Sequence, residues 1–414
     1  MQSNELRDSA ARVEFLKQSL GLVGEASTTV RGGRVAALRK LETIQPAKYA
    51  KTRNAIDGAV TGLSPYIRHR VLTLAEVRDS AIERVNEPWQ AQKLIQELAW
   101  HDFFQRVYAV VGEKGVWTSL EPWNTGLGPS DYANDLPPEI EAGETGVDWV
   151  DYFAKQLADE GWLHNHARMW LACYVVHVRR VSWQAGARWF LRHLVDGDPA
   201  SNNLSWQWVA STFAARPYFM NRENVANNSG GRFPRRAKND PLDKPYPQLQ
   251  RELFPQGTDA TQDAGDGLEI DLRKATAKPT PPATAPDDAV VWVHHDMLNP
   301  GHPALTDGRP ALYVFDPTRV TGMKPIAFVA ECLSELPAVS VRVSDDVADA
   351  VRDFAGGRPI VTGETPAEHL RDVINTLDLT VIPTPPFATV EGKLDLKRFS
   401  RYWRMVQKTV SART

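Results

Sequence analysis

Residues 169–178, MWLACYVVHV, are apolar on nearly every face of a helix, and this run constrains the fold more than any other stretch. A helix with no polar side has to lie inside a helical domain. Around it, within 161–221, stand Trp162, Trp170, Trp183, Trp189, Trp206 and Trp208, interleaved with His164, Asn165, Arg168, Asp196, Asp198, Asn202 and Asn203. Charges buried beside such a helix are costly unless they pair with one another or with a ligand. Arg168 with Asp196 or Asp198 is the expected pair. The loop 196–203, DGDPASNN, gathers carboxylates, amides and backbone N–H groups at one place. That donor set suits a large ligand with flat faces and polar edges.

The 414 residues suffice for two or three domains. Eleven of the 13 tryptophans precede residue 256. Residues 1–255 hold 31 basic against 29 acidic residues, so neither a basic nor an acidic domain is present and any grip on nucleic acid must be a local patch. Cys173 and Cys332 sit in separate apolar runs and read as buried free thiols of a reducing compartment. No apolar run has membrane-spanning length, and the first residues lack a signal sequence. The expectation is a cytoplasmic, monomeric protein with no membrane partner and no metal.

Along the chain, residues 5–45 read as helices broken at Gly32-Gly33. Helical patterns continue to a basic cluster, Arg232, Arg235, Arg236 and Lys238, which ends the domain at about 255. Residues 256–288, rich in Pro, Thr, Ala and Asp, read as a flexible linker. From 289 onward VVWVHH, ALYVFD, VSVRVSD, PIVTG and LTVIPT alternate with helical runs. This implies a five-stranded parallel, Rossmann-like sheet flanked by helices over 289–414.

The order GW-x-HN-x-x-RM, W-x-x-GA-x-WF, DGD-x-A-SNN-x-x-WQW, at 161–169, 183–190 and 196–208, resembles the flavin-binding half of the cryptochrome/photolyase family. The resemblance implies an all-helical FAD-binding domain over 1–255 and an antenna-type α/β domain over 289–414. The family's order is the reverse, so the chain reads as circularly permuted. FAD is the implied cofactor, with a folate or deazaflavin antenna chromophore unproven. Tyr49, Thr61, Leu63, Ser64, Arg168, Asp196, Gly197, Asp198 and Asn202 match cofactor-binding positions, Asn202 opposite flavin N5. Val60 and Gly62 depart from the family's phosphate loop. Trp206 and Trp183 match the inner two members of an electron-transfer chain, with Trp117 and Trp123 as candidates for the outermost. Glu97, Trp100 and Trp208 match residues that bind and stack on damaged bases.

For DNA, Arg53, Asn165 and His166 match substrate-side positions. Of four positions that carry phosphate contacts in the family, here Arg53, His101, His166 and Met220, one arginine remains. Two readings stand. One is a cryptochrome-like flavoprotein that absorbs blue light, undergoes Trp-mediated photoreduction and repairs duplex DNA weakly or not at all. The other is a deoxyribodipyrimidine photolyase, acting on single strands in preference to duplex. A positive band fed by residues 232–238 would favour the lyase; a neutral rim would favour the sensor.

Overall fold

The structure, a computed structural model, describes residues 1–255, 257, 270–277, 281, 283–390 and 392–410. The chain divides into two compact units, neither of them continuous in sequence. The first unit combines Met1–Pro46, Thr61–Val110 and Leu272–Thr414; the second combines Ala47–Val60 and Val111–Asp271. The long helix Gln92–Val116 crosses the division. It is broken near there at Gly112, whose φ of 72° and ψ of −175° leave the helical region. Only glycine enters that region without a steric penalty.

In the first unit seven strands follow one another: β1 (Ala275–Ala277), β2 (Val290–Val293), β3 (Ala311–Phe315), β4 (Val339–Val343), β5 (Ile360–Gly363), β6 (Thr380–Ile382) and β7 (Gly392–Leu394). Five form one parallel sheet in the order β4-β3-β2-β5-β6, as expected for 289–414. Strands β2 and β3 are buried throughout, the mark of a sheet covered on both faces. Helices Met323–Ser334, Val347–Ala355 and Glu368–Leu377 make the later crossovers. The first crossover differs from the expected βα unit. Residues 294–310 form turns, because Pro300 and Pro303 remove donors and bias their neighbours away from helix.

Both sheet edges are managed. Gln2 forms an antiparallel bridge with Ser340, and Met1 and Val341 exchange backbone hydrogen bonds, so the N-terminus covers the β4 edge. At the other edge, β6 runs into Pro383, Pro385 and Pro386. Part of the expected linker is also ordered: β1 pairs antiparallel with β7, and Leu272 and Ala275 are buried. Extended backbone next to buried side chains needs hydrogen-bond partners, and β7 supplies them. The rest of that linker, at 256, 258–269, 278–280 and 282, lies outside the described residues.

The second unit takes its regular elements from helices. Asn165–Cys173 carries the apolar run, which ends in a π-helical turn, Tyr174–Val178, instead of continuing as α-helix. His177 in that turn is fully buried and bonds Val209 O through Nε2 at 2.9 Å. Burial lowers its pKa to about 4, so it stays neutral. The largest buried charge is Arg222. It pairs with both oxygens of Asp148 and, at 3.2 Å, with Asp240, which also accepts from Trp149 Nε1 at 2.8 Å. Asp148 is exposed and screened by water, whereas Asp240 is buried, and removing it costs about 3–5 kcal/mol.

The N-terminal residues and the C-terminal helix Phe399–Val410 belong to the same unit. We propose that the order of parts along the chain is a circular permutation, since ends that share a compact unit can be joined at little conformational cost. A chain in which Thr414 is linked to Met1 and new ends are opened within 258–269 is expected to unfold cooperatively at nearly the parent temperature. Insolubility, or a molten far-UV and near-UV circular dichroism pair, contradicts the permutation.

Candidate functional site

The helix Asn165–Cys173 begins at His164, whose Nδ1 caps it by accepting from the His166 N–H at 3.0 Å. Accepting there leaves the ring proton on Nε2, which faces the backbone of Arg53 and Ala55. One turn into the helix, Arg168 donates from Nε to Leu163 O at 3.0 Å. Its Nη2 reaches Asp196 Oδ2 at 2.7 Å. Asp196 is the expected partner of the two considered. Its side chain is 2% exposed, and Oδ1 accepts no hydrogen bond from the described residues. A buried carboxylate oxygen in that condition is a strong acceptor aimed at something else.

Asp198 has another task. Its carboxylate caps the helix Pro199–Ala210, accepting from Ala200 N, Ser201 N and Ser201 Oγ, at 3.2, 3.0 and 2.7 Å. An Asp at N-cap followed by Pro is a start signal for a helix. The expectation of Asp198 as a cofactor contact therefore meets a carboxylate already occupied by backbone. Gly197 makes the turn between the two aspartates. A Cβ there would stand 2.9 Å from Leu194 O, a carbonyl to which Gly197 N–H itself donates. Asn202 gives both amide protons to neighbours, Ala187 O at 3.1 Å and Asn203 Oδ1 at 3.0 Å.

Trp206 on the same helix is 2% exposed and packs edge-on against Phe190 at 4.9 Å. Its ring lies over Gly186, where a Cβ would come within 2.2 Å of the indole. Gly186 is therefore what lets the two helices close, and it stands one turn after Trp183. Trp183 is fully buried, and its Nε1 donates to Ser119 Oγ at 3.2 Å. Trp117 stacks parallel to it, 6.3 Å between centroids at 10°. Gln207, between Trp206 and Trp208, holds this loop by accepting from Leu120 N at 2.9 Å and donating to Thr118 O at 3.1 Å. Of the two outer candidates Trp117 is thus placed beside Trp183, while Trp123 stacks on Tyr132 at 4.3 Å. Sequence spacing could not find this, because 66 residues separate the two rings.

Among the substrate-side residues, Asn165 is exposed, with its amide on Met169 Sδ at 3.6 Å. His166 is half-buried against Trp170, its Nδ1 without a partner among the described residues. Burial first, then the Arg53 guanidinium, lowers its pKa to about 4; burial and the charges of His166 and Arg168 do the same for His164. Trp208 tilts on Tyr218 at 5.4 Å. Arg53 and Tyr49 are half-buried on and just after the helix Pro46–Thr52. Met220 is buried, so it offers nothing to a surface ligand. Half of the basic cluster is paired: Arg235 meets Glu223 at 3.0 Å and Arg236 meets Asp243 at 2.8 Å, while Arg232 lies over the Tyr152 ring at 4.6 Å and keeps its charge.

Thr61, Leu63, Ser64, Glu97 and Trp100 fall in the first unit. Thr61 Oγ1 accepts from Leu63 N at 3.4 Å just before the short helix Ser64–Arg68. Gly62, with φ 62°, lies under Lys40, whose Cε would be 2.7 Å from a Cβ. The small residue admits a lysine 22 positions upstream, which no local motif announces. Glu97 pairs with Lys93 at 3.0 Å. In the same unit a cleft of about 340 Å³ opens at the carboxyl ends of β2 and β5, where the strand order reverses. Arg68, paired with Asp296, and Arg70, which donates to Glu364 O at 2.7 Å, line it. Arg70 has φ 48°, a left-handed conformation that costs a non-glycine residue of order 1 kcal/mol.

Residues 93–232 match the family described as the FAD binding domain of DNA photolyase. The deoxyribodipyrimidine photo-lyase of Streptomyces griseus is 36% identical over 191 residues, 44% of this chain and 40% of that protein. The deoxyribodipyrimidine photo-lyase of Escherichia coli strain K12 is 32% identical over 185 residues, 42% and 36% of the two chains. The chain therefore aligns with less than half the length of these relatives. Among solved structures, a class III photolyase from Agrobacterium tumefaciens superposes with a TM-score of 0.43 at 22% identity, covering 54% of this chain and 55% of that one. A Synechocystis sp. PCC6803 cryptochrome gives 0.43 at 21%, covering 56% and 48%.

The residues of the second unit fit FAD. A flat ring with polar edges needs a donor and an acceptor side by side, and Arg168 with the unbonded Asp196 Oδ1 supplies both. The double substitution Arg168→Ala with Asp196→Ala is expected to purify without flavin, measured by visible absorbance after gel filtration. Normal flavin content in that variant would remove these residues from the site.

Proposed function

We propose, on the premise that this chain belongs to the photolyase/cryptochrome family through the FAD-binding domain at 93–232, that it is a cryptochrome-like, blue-light-absorbing flavoprotein with little or no repair of duplex DNA. The observation that carries the reading is a set of three indoles in the helical unit: Trp206 against Gly186, Trp183 one turn before that glycine on the same helix, and Trp117 stacked on Trp183. Bound FAD supplies light absorption and an excited state that accepts an electron. The protein's part is to deliver that electron and to carry the resulting hole outward.

Each indole stands in a different protonic setting. Trp206 is buried and its Nε1–H has no acceptor among the described residues. Its oxidised ring keeps its proton, and the positive charge passes to the next indole. Trp183 donates to Ser119 Oγ, a weak base that stabilises the ring without taking its proton. Trp117 is partly exposed, so its oxidised form can release the proton to water and be reduced by an external donor. The gradient from sealed to wet gives the hole a direction.

Weak duplex repair follows from charge. Holding a kinked duplex needs phosphate contacts, and flipping a base costs a few kcal/mol. Here His166 is neutral, Met220 is buried and Arg235 and Arg236 are paired with carboxylates. Cys173 and Cys332 are free buried thiols, which suits a reducing, cytoplasmic setting. The second reading, a deoxyribodipyrimidine photolyase acting on single strands, has the names of the relatives, the exposed Asn165 and the partly exposed Trp208 in its favour. An accessory chromophore of folate or deazaflavin class has room in the cleft beside Arg70.

Trp206→Phe and Trp117→Phe are each expected to slow light-driven loss of the oxidised flavin band at least about tenfold, the factor that about 1.4 kcal/mol of added barrier gives. Trp123→Phe is expected to leave it unchanged. Equal rates in Trp117→Phe and the parent, followed by stopped illumination with an external reductant, would assign the exit to another side chain.

A further inference from the structure

Trp100, on the helix Gln92–Val116, is held by rings from the far end of the chain. Phe399, the first residue of the helix Phe399–Val410, stacks on the indole at 3.8 Å and 12°. Phe103 meets it edge-on at 5.8 Å, and Phe104 lies tilted at 5.3 Å. Trp403 continues the ladder behind Phe399, nearly parallel at 6.3 Å. The C-terminal helix is anchored independently of this stack: buried Tyr402 donates to Asp102, which pairs with Arg106 at 2.8 Å. Phe399 is 8% exposed, whereas Trp100 stays partly accessible. A ring stacked at van der Waals distance excludes water from that face, so the accessible part of Trp100 belongs to its other face and edge.

We propose that Phe399 is a positioning residue for Trp100, fixing the indole plane so that its open face forms a rigid stacking platform for a planar, uncharged ring such as a nucleobase in a single strand. The proposal rests on the second functional reading, in which Trp100 faces a ligand. A tryptophan free to turn about its two side-chain torsions would lose that freedom on stacking; one already backed by Phe399 has lost it beforehand. The neighbouring charges, Glu97 with Lys93 and Asp102 with Arg106, are balanced, which favours a neutral ring over an anion. Base–aromatic stacking of this kind tolerates any sequence.

The test is binding of a short fluorescent oligothymidylate to the full-length, flavin-loaded protein, followed by anisotropy. Phe399→Leu is expected to weaken binding about three- to tenfold, as loss of an aromatic pair does. Some loss of thermal stability is expected, as for any buried ring, but flavin content should match the parent's and Phe399→Tyr should restore the affinity. A purely structural Phe399 would lower stability with oligothymidylate affinity unchanged at a temperature where the variant is folded. If Phe399→Leu binds as the parent does while Trp100→Leu binds poorly, the positioning role is wrong. If Trp100→Leu itself binds normally, the ligand-facing reading of Trp100 fails and takes the proposal with it.

Discussion

A buried carboxylate with one oxygen bonded and the other open governs the helical unit. Asp196 is held by Arg168 on one side, and the turn at Gly197 keeps it pressed against the end of the preceding helix. Without Arg168 the charge would be isolated in apolar surroundings, at a cost of several kcal/mol. Without a ligand donor its second oxygen is left unsatisfied, which costs about 1–3 kcal/mol. On the proposed reading, a donor from the flavin would complete the site. The neighbouring Asp198 shows the contrast. It is equally buried, but it terminates a helix and is satisfied by backbone donors, so it stabilises the scaffold on which Asn202, Trp206 and Trp208 are spaced.

How much of this could be read from the residues depended on range. The apolar run at 169–178, the alternation after 289 and the Arg168–Asp196 pairing are local patterns or short-range pairings, and they hold in the structure. The capping role of Asp198 is legible too, since Asp-Pro marks a helix start. What could not be read were contacts between distant segments. Trp117 meets Trp183 through a loop clamped by Gln207, Lys40 occupies space left by Gly62, and Phe399 meets Trp100 across about three quarters of the chain. No periodicity encodes such pairs. The same holds for Gly32 and Val35, which donate backbone bonds to Glu331 and Glu335 and tie the first helices to the sheet unit.

The choice between sensing light and repairing DNA turns on surface charge, because the flavin chemistry serves both. His166 is neutral and Met220 is buried, and Arg235 and Arg236 spend their charge on Glu223 and Asp243. Exposed pairs of that kind contribute little to stability, and salt screens them, so their effect here is to flatten the local potential.

The most direct measurement is photorepair by the reduced, illuminated protein of pyrimidine dimers placed in matched single-stranded and double-stranded oligonucleotides at low salt. The account predicts no appreciable restoration of thymines in the duplex, while the flavin remains photoreducible in the same sample. Efficient turnover on the duplex, lost on Glu97→Ala, would contradict it and establish the lyase.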